Sequence, residues 1–159
     1  MSEMNQEEFI RFLIRAKQET YAAQGDDGTR QPLVPGSKQL EYGEGPWLYR
    51  DIYFGFSHFS GQEVVYDREC PIWSMTYSGG TAPDIKDSRR IREVYAFLRA
   101  ALRKLQPDRP FRGPCLFREG AFRYEDESVG GVDQFHGRER ITEEGRVIYS
   151  LTYQGGWIR

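Results

Sequence analysis

The segment from Tyr49 to Gly80 recurs, with one gap, as the segment from Tyr124 to Gly156. The two share Tyr49/Tyr124, Asp51/Asp126, Gly55/Gly130, Phe59/Phe135, Gly61/Gly137, Glu63/Glu139, Ser74/Ser150, Thr76/Thr152, Tyr77/Tyr153, Gly79/Gly155 and Gly80/Gly156. Unrelated segments of this length share roughly two identities at average residue usage. An internal duplication of this kind constrains the fold strongly. Whatever one half builds the other builds again, and the shared positions mark what the unit needs.

Each copy is preceded by a helical pattern. Residues 5–20 place Phe9, Phe12, Leu13 and Ala16 on one stripe, with Asn5 and Glu8 at capping-box spacing. Residues 87–105 place Ile91, Val94, Tyr95, Leu98, Ala101, Leu102 and Leu105 on a 3.6-residue period, and Pro107 stops the helix. Residues 25–37, rich in Gly, Pro and Asp, read as an exposed loop. Short strands are expected at 40–42 and 115–117, each followed by a turn. The expectation is a single domain over 1–159 with repeat halves 5–80 and 87–156. Its fold class is α+β: a helix plus an antiparallel three- to four-stranded meander, twice, related by a pseudo-two-fold axis. The helices pack on the aromatic sheet faces, and one continuous sheet or two facing sheets both satisfy the pattern.

Strand residues alternate faces, and here the alternation sorts them cleanly. Phe122, Tyr124, Asp126 and Ser128 share a face opposite Arg123, Glu125 and Glu127, so the aromatic side is inward. Trp47, Tyr49, Asp51 and Tyr53 match it in the first half. Phe135, Gly137, Glu139 and Ile141 share the inward side, as do Phe59, Gly61, Glu63 and Val65. Trp73, Met75 and Tyr77 correspond to Tyr149, Leu151 and Tyr153. Each half therefore sets an Asp and a Glu among inward aromatics. Ordinary hairpin loops put Asp51 opposite Glu63 and Asp126 opposite Glu139. Carboxylates so placed lie about 5 Å apart at Cβ and repel. On a dry face they share a proton or need a cation. Either arginines from the helices (Arg11, Arg15, Arg89, Arg92 or Arg99) fasten them, or they line a partly polar cavity.

Composition narrows the function classes. With 38% hydrophobic residues, 29% charged residues and a net charge of -2, the chain has no long-range pull toward nucleic acid or an anionic membrane. No apolar run approaches a membrane span, and the polar N-terminus is not a signal peptide, so a cytoplasmic protein is expected. Cys70 and Cys115 occupy no metal spacing and read as reduced, buried or turn thiols. His58 and His136 fall on the outward face. No P-loop, dinucleotide fingerprint or Ser-His-Asp arrangement is present, and neither a metal nor a cofactor is expected.

The run Phe59-x-Gly61-x-Glu63, followed by Pro71-x-Trp73-Ser74-Met75-x-Tyr77-x-Gly79, resembles a bacterial domain family of unknown function. So do Arg15-Ala16-Lys17 with Thr20-Tyr21-Ala22, and Pro35-Gly36-Ser37. Arg112-Gly113-Pro114 and Phe135-x-Gly137-x-Glu139 match a second block, in which Tyr149 replaces a tryptophan. Members of that family occur alone or C-terminal to XRE-type helix-turn-helix domains, which implies a sensing or interaction module. The expected function is thus a non-enzymatic, sensor-like module for a small amphipathic or cationic ligand. Its candidate ligand-binding residues are Tyr49, Asp51, Glu63, Trp73, Tyr77, Tyr124, Asp126, Glu139 and Tyr153. No direct nucleic acid or membrane partner is expected, and a homodimer is compatible with the symmetry. Two alternatives stand beside it: a hydrolase-like enzyme using one Asp/Glu pair, and a protein-interaction or structural module.

Overall fold

The structure, a computed structural model, describes residues 5–25 and 31–159. Part of the expected loop over 25–37, and the four residues before Asn5, lie outside the described residues.

Helix α1 spans Gln6–Glu19. The Asn5 side chain caps it, accepting from the Glu7 N–H at 3.0 Å rather than from the Glu8 N–H that the capping-box spacing suggests. Its buried face carries Phe9, Phe12, Leu13, Ala16 and also Lys17. A single further turn, α2, covers Tyr21–Gln24. The first meander follows: β1 Lys38–Glu44, β2 Trp47–Gly55, β3 His58–Asp67 and β4 Cys70–Thr81. Helix α3 spans Ser88–Leu102, capped by the Asp87 side chain. It ends three residues earlier than its apolar period suggests. Lys104 and Leu105 donate to carbonyls three residues back, tightening the last turn before Pro107. The second meander is β5 Leu116–Glu119, β6 Phe122–Gly131, β7 Gln134–Glu143 and β8 Arg146–Trp157.

The eight strands form one antiparallel sheet in the order β1-β2-β3-β4-β8-β7-β6-β5. This corrects the expected α+β class, a helix plus a three- to four-stranded meander in each half with helices packed on the aromatic sheet faces. Strands hold 51% of the chain and helices 22%, which makes the fold mostly β. The two meanders do not stack. They join edge to edge through β4 and β8, whose register is symmetric about the Tyr77–Tyr153 pair: Trp73 faces Trp157 and Thr81 faces Tyr149. The long helices share one face of this sheet. Phe9 of α1 packs on Trp47, Trp73 and Trp157, and Tyr95 of α3 packs on Phe59 and Tyr149. Ser, Thr and charged residues cover most of the opposite face, with Leu48, Ile52, Phe54, Val64 and Val129 among them.

Both internal hairpin registers are those inferred from the loops. Asp51 pairs with Glu63 and Gly55 with Phe59; Asp126 pairs with Glu139 and Gly130 with Phe135. Gly79-Gly80 and Gly155-Gly156 lie within β4 and β8. There the sheet is tight: a Cβ on Gly79 would lie 2.2 Å from the Ser150 carbonyl oxygen.

Candidate functional site

All four carboxylates are buried on the helix-covered face, and the two pairs are treated differently. In the second half both are closed by arginines from the connection between α3 and β5. The Arg112 guanidinium grips Glu139 with two bonds of 3.1 and 2.6 Å. The hydroxyls of Tyr124 and Tyr149 donate to the same carboxylate at 2.5 and 2.7 Å. Asp126 accepts from Arg109 at 3.0 Å and from the Tyr153 hydroxyl at 2.8 Å. In the first half Glu63 takes the Lys17 ammonium of α1 at 2.5 Å, and Lys17 also donates to the Phe111 carbonyl at 2.6 Å. The Tyr49 hydroxyl bonds to Glu63 as well. Among the described residues Asp51 accepts a single hydrogen bond, 2.6 Å from the Tyr77 hydroxyl, and no salt bridge reaches it.

The inward network thus sets three cations, Lys17, Arg109 and Arg112, against four carboxylates. Asp51 is the one without a partner of opposite charge among the described residues. Burial, and then the Glu63 carboxylate across the strand pair, push the Asp51 carboxyl up to about 7. Burial and Glu139 push Asp126 equally far, to about 7, although the Arg109 guanidinium lies beside it. What separates the two residues is therefore their partners. Burial also lowers the Lys17 ammonium, against the pull of Glu63. The buried hydroxyls of Tyr49, Tyr77, Tyr124 and Tyr149 are held well above their ordinary range, chiefly by desolvation. These tyrosines stay neutral donors.

Two glycines make this geometry possible. Tyr77 stands opposite Gly61 in the sheet, and Tyr153 opposite Gly137. A Cβ on Gly61 would lie 2.5 Å from the Tyr77 hydroxyl oxygen and 2.6 Å from the Ile52 carbonyl oxygen. The missing side chain is the space through which the hydroxyl reaches Asp51. Gly61→Ala is expected to break that bond and to destabilise the fold by about 1–3 kcal/mol, the range for overpacking. Urea unfolding gives the loss, and an unchanged midpoint would show that the strand yields instead.

A cavity of about 230 Å³ opens between α1, α2, α3 and strands β2 and β3. At a liquid share of about 30 Å³ per water it holds roughly eight waters, the size of a small metabolite. Asp51, Glu63, Lys17, Tyr49, Tyr77 and Arg112 lie at its inner end. Phe56, Phe59, Tyr53, Tyr95, Leu102 and Phe111 make apolar walls, and Arg92 and Arg99 of α3 stand at its more exposed side.

Of the nine residues singled out in the sequence, Tyr49, Asp51, Glu63 and Tyr77 line this cavity. Trp73, Tyr124, Asp126, Glu139 and Tyr153 are buried and do not line it. Trp73 is fully enclosed, with its indole N–H donating to the Val132 carbonyl at 3.0 Å. None of Arg11, Arg15, Arg89, Arg92 and Arg99 forms a salt bridge with an inward carboxylate; Arg15 pairs with the exposed Glu44. The fasteners are Lys17, Arg109 and Arg112. Lys17 was legible as the residue four after Leu13 on the buried stripe. Arg109 and Arg112 sit in a connection with no period; the Arg112-Gly113-Pro114 motif marked Arg112 as a family position without giving its partner, and nothing marked Arg109. Both cysteines are exposed free thiols, which corrects the buried alternative. His58 and His136 are exposed, as the alternation requires. Among the described residues no group of three His, Cys, Asp or Glu could hold a metal ion, and no helix is long and apolar enough to cross a membrane.

Comparison with known proteins gives one relationship. No curated protein and no solved structure matches the chain. A family match runs over residues 51–158. It takes in all four inward carboxylates with Arg109 and Arg112, and leaves out α1 with Lys17. On that match the chain belongs to the family described as Domain of unknown function (DUF5680).

Proposed function

We propose that the cavity above Asp51 is a binding site for a small amphipathic molecule, and that the domain is a non-enzymatic binding module. The observation that carries this reading is the partner count. Among the described residues Asp51 is the inward carboxylate in no salt bridge, with Lys17 and Arg112 acting on it only through space, and it lines the cavity, while its register counterpart Asp126 is closed by Arg109. A buried carboxylate without a counter-charge either takes a proton or takes a cationic donor from a ligand. The aromatic walls suit an apolar body attached to that donor. The matched registers fit two copies of one ancestral unit, one keeping a fastened pair and the other an open one. The motifs shared with domains found behind helix-turn-helix modules favour a sensing role in a bacterial cytoplasm without direct nucleic acid contact.

A thermal screen with amines tests the reading. A ligand at 100 times its Kd adds about 2.7 kcal/mol, which raises Tm by roughly 5–10 °C for a chain of this size. That shift is expected for the native protein and is lost in Asp51→Asn, which keeps the Tyr77 bond but not the charge. Amine affinity is expected to rise about tenfold between pH 6 and pH 8, because Asp51 must give up its proton. A broad amine panel that leaves Tm unmoved would defeat the proposal.

Acid–base catalysis by Asp51 is a second reading, favoured by the contrast between one pair lining a cavity and one closed off. Lys17 already holds Glu63 as an ion pair, which leaves a single carboxyl for proton transfer. Glycoside or ester turnover lost in Asp51→Asn would establish it over binding alone.

A further inference from the structure

The cavity carries uncompensated charge of opposite sign at its two ends. Arg92, Tyr95, Arg99 and Leu102 fall on one face of α3 and line it together. Arg112, also in the lining, is neutralised by Glu139. Arg92 and Arg99 form no salt bridge among the described residues. Each instead lies over an aromatic ring: Arg92 at 5.6 Å from the centre of Phe56, Arg99 at 6.0 Å from the centre of Tyr21. Arg92 has one further bond, 3.3 Å to the Ser88 hydroxyl, and the Cβ position of Gly25 lies 3.3 Å from an Arg99 nitrogen. Arg92 is exposed and Arg99 half-buried, whereas Asp51 is buried. So the rim is cationic and the inner end anionic.

A purely cationic ligand at Asp51 shares the cavity with two guanidinium groups, and their repulsion opposes its binding. An anionic group on the same molecule turns that repulsion into attraction. Guanidinium groups seated on aromatic faces present planar donors suited to a carboxylate.

Resting on the binding site proposed above, we infer that its ligand is dipolar, an amine joined through a short apolar body to a carboxylate. The amine meets Asp51 and the carboxylate meets Arg92 and Arg99. The chemical class is that of ω-amino acids, alkyl or aryl, with the amine and the carboxylate at opposite ends.

Isothermal titration of the full chain with three probes tests this: benzylamine, benzoate and 4-(aminomethyl)benzoate, at pH 8 and low salt. The dipolar probe is expected to bind at least about tenfold more tightly than benzylamine, the value of one charge-assisted contact. In Arg92→Gln/Arg99→Gln that advantage disappears, while benzylamine binding stays the same or tightens. Asp51→Asn weakens both amines and spares benzoate. If benzylamine binds as tightly as the dipolar probe, or the arginine variant weakens both alike, the dipolar assignment is wrong and the amine site stands. If none of the three binds at millimolar concentration, the amine site falls too.

Discussion

Arg112→Met is expected to lower unfolding free energy by about 3–5 kcal/mol, the cost of stripping a buried carboxylate of its cation. Glu139 is 1% exposed, and two of its four hydrogen bonds come from Arg112. The hydroxyls of Tyr124 and Tyr149 remain, but neutral donors do not cancel a charge. In Arg112→Met/Glu139→Gln the buried charge is gone, and the double variant is expected to lose less than the single one. Arg146→Ala provides the contrast. Arg146 meets Asp84 at 2.5 Å, but both side chains are more than half exposed. Such a pair contributes about 0–1 kcal/mol. Urea midpoints at pH 7 decide the matter. A loss in Arg112→Met no larger than that of Arg146→Ala would mean that Glu139 takes up a proton at little cost.

Asp51→Asn is expected to stabilise the free protein, and only at higher pH. The native carboxyl titrates at about 7, above its ordinary value of 3.8. The native state therefore holds the proton more tightly than the unfolded state. Stability falls as pH rises from about 4 to about 7, by up to about 4 kcal/mol. Asparagine has no proton to lose, so the variant gains little at pH 4 and most at pH 8. Asp126→Asn is the matched comparison. Asp126 is raised as far, but its removal strands Arg109, so the gain at pH 8 is expected to be smaller. Equal unfolding curves for native protein and Asp51→Asn at pH 8 would show that Asp51 is ionised there without penalty.

The sequence made the strands legible because inward aromatics alternate with polar residues, most cleanly over 122–128 in the second half. That alternation located Asp51, Glu63, Asp126 and Glu139 on one face, and short loops gave their pairing. Two things escaped it. Helix and strand patterns reveal local elements but not how much of the chain each occupies, nor how two meanders meet. The β4–β8 joint depends on strand edges, whose backbone groups are the same for every residue. The identity of the fasteners was hidden for a different reason. Arg109 and Arg112 act from an aperiodic connection, and their aim is set by the Gln106–Arg109 bridge and by Phe111 stacking on Phe135. Sequence symmetry alone does not distinguish the two carboxylate pairs. The unequal supply of cations, which the repeat does not encode, does.

The joint between the meanders has a consequence for how the chain folds. Within each meander every strand pairs with its neighbour in sequence, so loop closure is short and fast. The β4–β8 pairing instead brings Trp73 to Trp157 across all of α3 and the second meander. Its entropy of closure must be spent before any of its contacts return stability. Until it closes, each half carries a long strand with one open edge, β4 with Trp73 and Tyr77 or β8 with Tyr149, Tyr153 and Trp157, a template for the complementary strand of another copy. Refolding at rising concentration is therefore expected to yield dimers in which each copy exchanges its second half for a neighbour's, read by size-exclusion chromatography.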